Sequence, residues 1–123
     1  RLYRWHDARL LGRTRDQSLA QSLRDAGLNA SDAAPGQLTS ALGSPEGFDV
    51  EILETQQLLA ARDPLLLCSD GLWSAFDDLA MERSLAGCSG IQAWLDRLEA
   101  GVRRADRSDQ DNYSALAIWC EPG

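Results

Sequence analysis

Apolar positions recur along this chain at two periods, and the switches between them mark its elements. "RLYRW" (residues 1–5) sets Tyr3 and Trp5 against Leu2 and Arg4, the alternation of a half-buried strand. "HDAR" reads as a turn and "ARLLGRT" as a second strand, so a hairpin opens the chain. From Asp16 the period lengthens. Leu19, Ser22, Leu23 and Ala26 share a helical face, with Asp16 as the expected N-cap and Gly27 as the stop. "LNASDAAPG" is a polar loop, "QLTSALG" reads as a short strand, and "FDVEILE" alternates Phe48, Val50 and Ile52 against Asp49 and Glu51.

"ARDP" is a turn, and Pro64 stands where a strand can begin. "LLLC" (65–68) is apolar at every position, which predicts a central strand covered on both faces. Two helices follow. One spans about residues 72 to 84. The other starts near Ser89 as N-cap and carries Ile91, Trp94, Leu95, Leu98 and Val102 on one stripe. It ends in "RRADRSD", whose basic residues suit a helix C-terminus. The closing "NYSALAIWC" reads as another central strand. Strands joined to strands by short turns, then helices, then a strand, describe an antiparallel α+β fold rather than a βαβ array.

Composition narrows the function. At 123 residues, 44% hydrophobic and 25% charged, the chain is the size of one globular domain or less. The net charge of −7 argues against a nucleic-acid-binding face. Cys68, Cys88 and Cys120 are odd in number and form no CxxC, so they read as reduced core thiols, and a cytoplasmic setting is expected. His6 is the only histidine and reads as surface in the hairpin turn. Trp73, Trp94 and Trp119 read as core, and Trp5 as core or cleft rim. No GxGxxG or P-loop occurs, and no apolar run is long enough to span a membrane. The chain opens on Arg1 directly in a strand, which reads as a piece of something longer.

The candidate chemistry lies in two acidic knots. Asp70 follows the buried "LLLC" strand, and Asp111 precedes the last strand. If those strands are antiparallel neighbours, the two carboxylates converge at one sheet edge despite their separation in sequence. Such a pair repels unless a proton or cation lies between, and hard divalent ions take carboxylate oxygens. Gly71 would let the backbone turn close to an ion. Asp-Gly is equally an ordinary turn, and spacing alone leaves both readings open.

"LLLCSDGLW", then "DN" before a terminal apolar strand, resembles the metal-dependent serine/threonine phosphatases of type 2C, in a bacterial form. "RLYRW" is similar to the tail of that family's "GDSRxYxx" strand, "LLGRTRDQSL" to its "xxLTxDHSL" segment, and "LTSALG" to its "ITRALG" strand. The resemblance runs over the whole chain and matches the C-terminal half of the catalytic domain. It implies an antiparallel β-sandwich flanked by helices, in α-β-β-α layers. It also implies a dinuclear Mg²⁺ or Mn²⁺ centre that activates water against phosphoserine and phosphothreonine.

By that resemblance Asp70 and Asp111 are metal ligands, and Ser69, Gly71, Asp109 and Asn112 support them. Phosphorylated proteins are the implied partners, opposite a cognate kinase. The family's first half, with its bridging Asp and phosphate-binding Arg, has no counterpart here, so the isolated chain is expected to be inactive. Self-association, or contact with a separate N-terminal segment, would cover strands left without partners. The histidine of "DHS" is Gln17 here, and the Asp that commonly follows "DGLW" is Ser74. A pseudophosphatase or regulatory module of the same fold is the alternative, and an inert metal-binding α+β domain a third.

Overall fold

The computed structural model describes residues 1–34, 36–45, 47, 48, 50 and 63–119. The chain divides into two compact units, Arg1–Arg13 with Thr55–Gly123, and Thr14–Glu54.

The first unit is built on four antiparallel strands: β1 (Leu2–His6), β2 (Arg9–Arg13), β3 (Pro64–Cys68) and β4 (Ala115–Trp119), ordered β2-β1-β3-β4. The β1–β2 hairpin forms as its alternation predicts. Its two-residue turn, Asp7-Ala8, is left-handed at both positions (φ 48° and 61°), the geometry that matches strand twist. His6 is therefore the last residue of β1 and not part of the turn. It is exposed, as expected of a surface residue, and its Nδ1 lies 2.8 Å from the carboxylate of the buried Asp63.

β3 is central, between β1 and β4, as its apolar run predicts. Its covering is one-sided. Leu66 and Cys68 are buried, whereas Leu67 is 52% exposed. Register places Leu65 opposite Ile118 and Leu67 opposite Leu116. Leu116 and Ile118 are 58% and 47% exposed, so the outer face of the sheet is an apolar surface. Among the described residues β4 is an edge strand, not a central one. Only one sheet is present among them, with helices on its inner face.

Three helices make that inner layer. The stretch expected at 72–84 is two helices, α2 (Asp70–Trp73) and α3 (Asp78–Ser84); α1 (Leu19–Asp25) belongs to the second unit. The break falls where the Asp77 side chain accepts from Ala80 N at 2.6 Å and starts α3. α4 (Ile91–Ala105) follows Gly90 as N-cap, not Ser89, and has no side-chain cap bond. Trp94, Leu98 and Val102 of its predicted stripe are buried. They close a core with Tyr3, Trp5, Leu66, Cys68, Leu72, Met81 and Leu85.

Trp5 and Trp94 meet edge to face at 5.0 Å, and Trp94 meets Trp119 the same way at 6.5 Å. Trp5 is thus core, not rim. Burying each large side chain of this kind stabilises by about 2–3 kcal/mol. Cys68 is a buried free thiol, pushed up from its ordinary pKa by burial. Cys88 is also free and partly buried, and Cys120 lies outside the described residues.

In the second unit α1 spans Leu19–Asp25. Its cap is Ser18, whose Oγ accepts from Gln21 N at 3.2 Å, and not Asp16. Gly27 (φ 72°) ends it as expected, with Gly27 N bonded to Arg24 O and Leu28 N to Leu23 O. A 3-10 turn, Ala30–Asp32, interrupts the polar loop. "QLTSALG" forms no strand; it contributes a single bridge, Leu38 to Ser18. "FDVEILE" falls largely outside the described residues.

Candidate metal centre

β3 ends at Cys68 and β4 begins at Ala115, and these two residues pair in register. The chain leaving β3 therefore lies beside the chain entering β4. The backbones that carry the two acidic knots therefore adjoin, and hydrogen bonds extend the pairing past the sheet. Ser69 N donates to Ser114 O at 3.1 Å, and Ser114 N donates to Ser69 Oγ at 3.0 Å.

Beyond Ser69 the backbone turns into α2 with Asp70 as its first residue. Gly71 is buried against the facing loop. A Cβ built on it would lie 2.3 Å from Asn112 O, 2.8 Å from Asp111 O and 2.9 Å from Asn112 C. Only a residue without a side chain fits there, so the glycine is demanded by close approach of two backbones rather than by its dihedral angles.

The loop 106–114 is laid along α2. Asp106 is left-handed (φ 41°) and turns the chain out of α4. Arg107 then donates to Ser74 O at 3.1 Å and forks onto Asp109 at 3.0 and 2.9 Å. The guanidinium holds the Asp109 carboxyl below its ordinary pKa of 3.8. Gln110 reaches across: its Nε2 donates to Gly71 O at 2.8 Å and to Asp111 O at 2.7 Å.

Asp70 and Asp111 are both solvent-exposed. Each spends one oxygen on a backbone amide, Asp70 Oδ1 on Gly71 N at 3.0 Å and Asp111 Oδ1 on Asn112 N at 2.7 Å. Two exposed carboxylates on adjoining, tightly packed backbones suit a hard divalent cation in donor type and access. Among the described residues no group of three or more His, Cys, Asp or Glu side chains that could hold a metal ion is present.

The residues expected at the site divide cleanly. Ser69, Asp70, Gly71, Asp111 and Asn112 come together at one end of β3 and β4. Asp109 faces Arg107 instead and acts on the loop, not between the carboxylates. Sequence reading passed over Gln110 and the anchoring of Arg107. Gln110 lies between two acidic residues on a loop without periodicity, where nothing marks a side chain that bonds backbone. Arg1 was also missed. It stacks over Trp73 of α2 at 3.5 Å and bonds Tyr3 Oη at 3.1 Å, pinning the short helix that starts at Asp70. Arg13 and Arg15 pair with Asp78 and Asp25.

No family model matches this sequence, and no curated protein matches it. Comparison of structures does find relatives. The chain is similar to the serine/threonine phosphatase PstP/Ppp of Mycobacterium tuberculosis, at 28% identity and a TM-score of 0.76, over 99% of this chain and 52% of that one. It resembles the serine/threonine phosphatase of S. agalactiae at 18% identity and a TM-score of 0.74. It also resembles PppA, a key regulatory component of T6SS in Pseudomonas aeruginosa, at 27% identity and a TM-score of 0.65, over 95% of this chain and 47% of that one. The chain thus spans about half the length of the structures it matches.

Proposed function

We propose that this chain, whose fold is that of half a bacterial PPM-type serine/threonine phosphatase, supplies the Asp70 and Asp111 side of a divalent-metal centre that hydrolyses phosphoserine and phosphothreonine in proteins. The observation that carries this reading is the packing of Gly71 on the Asp111–Asn112 backbone. It joins the two motifs into one surface with both carboxylates open to solvent. Bound Mg²⁺ or Mn²⁺ would supply Lewis-acid activation of water and neutralise charge on the phosphoryl group. Asp70 and Asp111 would hold the cation through the oxygens not spent on Gly71 N and Asn112 N. The short loop bonds keep both carboxylates in place without reorganisation.

The remaining ligands and the phosphate-binding group belong, on this reading, to the other half of the domain. The apolar outer face of the sheet, with Leu67, Leu116 and Ile118, suits a covering second sheet from that half. Alone, the chain would bind metal weakly, turn over little, and tend to self-associate through that face. Its natural substrates would be phosphoproteins made by a partner kinase in the cytoplasm.

The test is Mn²⁺-dependent hydrolysis of p-nitrophenyl phosphate. The 123-residue chain is compared with a form extended upstream by about one domain-half, and with that form carrying Asp111→Asn. Activity in the extended form alone, lost with Asp111→Asn, is expected. A folded but inactive extended form would give the fold a regulatory binding role. Equal activity in the short chain would contradict the division of ligands.

A further inference from the structure

The two carboxylates stand on different elements, Asp70 on α2 and Asp111 on a loop. Their separation is set by whatever ties that loop to that helix. Three ties exist. The Ser69–Ser114 pair lies at the strand ends, before Asp70. The Arg107 tie to Ser74 O lies at the far end of α2. Between them stands Gln110: one amide nitrogen bonded to Gly71 O, the carbonyl of the residue after Asp70, and to Asp111 O, the carbonyl of Asp111 itself. The same nitrogen touches both carboxylate-bearing segments.

We propose that Gln110 is a positioning residue that fixes the separation of Asp70 and Asp111 before a cation arrives. This role rests on the metal reading of the two carboxylates. The physical argument is one of geometry. A cation site gains affinity when its ligands need no reordering on binding, and groups that orient ligands matter nearly as much as ligands. Gly71 removes the steric barrier between helix and loop but does not hold them together. The Gln110 amide supplies the attraction, and its backbone is itself set by the turn bond from Gln110 N to Arg107 O at 3.2 Å. Gln110 is solvent-exposed and makes no apolar contribution to the core, so its removal leaves the fold intact while loosening the pair.

The experiment is a Mn²⁺ titration of the 123-residue chain, read by paramagnetic broadening of backbone amides, with thermal melts of the metal-free protein alongside. Gln110→Met keeps length and loses both donors. Gln92→Met makes the same change at an exposed glutamine that bonds only Asp96 on α4. Asp70→Asn and Asp111→Asn report on the ligands. The expected result is a roughly tenfold weaker Mn²⁺ affinity in Gln110→Met, within the range seen for groups that orient metal ligands. Gln92→Met leaves the affinity unchanged, and the metal-free melting temperature of Gln110→Met falls by no more than about 4 °C, the loss of one exposed hydrogen bond. Unchanged affinity in Gln110→Met would overturn the proposal, as would a lowered melting temperature with unchanged affinity, which would make the residue structural only. If Asp70→Asn and Asp111→Asn also leave the broadening unaltered, the metal reading itself falls and this role falls with it.

Discussion

Gly71→Ala probes the joint on which the site depends. A helical glycine replaced by alanine ordinarily gains about 1 kcal/mol of helix propensity. Here the new methyl would meet backbone, not a yielding side chain, at 2.3 Å from Asn112 O, a distance real Cβ atoms essentially never show. The loop must retreat. Overpacking of this kind costs about 1–3 kcal/mol. The retreat also stretches the Gln110 bond to Gly71 O, worth about 1 kcal/mol. The balance is a net loss of about 1–3 kcal/mol, or a melting temperature lower by roughly 4–12 °C for a chain of this size. Intrinsic tryptophan fluorescence is the assay, because all four tryptophans lie in the unit that holds the site. The amide resonances of Asp111 and Asn112 should shift in the same variant. A melting temperature equal to the parent's or higher would refute the close approach and the argument built on it.

Three comparisons follow from other contacts. Trp5→Phe and Trp94→Phe make the same change at two fully buried rings, but Trp94 donates its indole N–H to Ser84 Oγ at 2.8 Å, while that of Trp5 has no partner among the described residues. Trp94→Phe should therefore cost about 1–2 kcal/mol more in urea unfolding, and equal costs would contradict the assignment. Gly101→Ala would press on the Phe76 ring at 2.4 Å, a side chain able to move, so its loss should be smaller than that of Gly71→Ala. The Asp63 carboxylate raises the pKa of His6 above its ordinary 6.5. That stabilisation is complete below pH 6.5 and is lost as pH rises through the raised value, so the parent should weaken over that window and His6→Gln should not.

How much of this was legible depended on whether neighbours or distant partners decided the outcome. The hairpin, the central β3 and the α4 stripe of Trp94, Leu98 and Val102 are local periodicities, and each appears as the sequence reads. Capping was harder, because several short polar residues compete near each start. Ser18 displaced Asp16, and Gly90 displaced Ser89, since the cap is whichever residue the backbone leaves extended. The outer sheet face misled for a different reason. "LLLC" and "ALAIW" are apolar on both sides, which implies a cover that the described residues do not supply. At the site, Asp70, Gly71 and Asp111 were visible as types at strand ends. Gln110, Arg107 and Arg1 were not, because their partners are backbone carbonyls, a ring and a helix remote in sequence.

The central claim is that Asp70 and Asp111 form one cation site. Its most direct test is Mn²⁺ added to the ¹⁵N-labelled 123-residue chain, with amide broadening mapped residue by residue. Ser69–Leu72 and Gln110–Ser114 are expected to broaden together at the same Mn²⁺ concentration, and Asp70→Asn or Asp111→Asn to abolish both effects at once. Broadening of one segment without the other, or of the acidic surface generally with neither segment favoured, would contradict it.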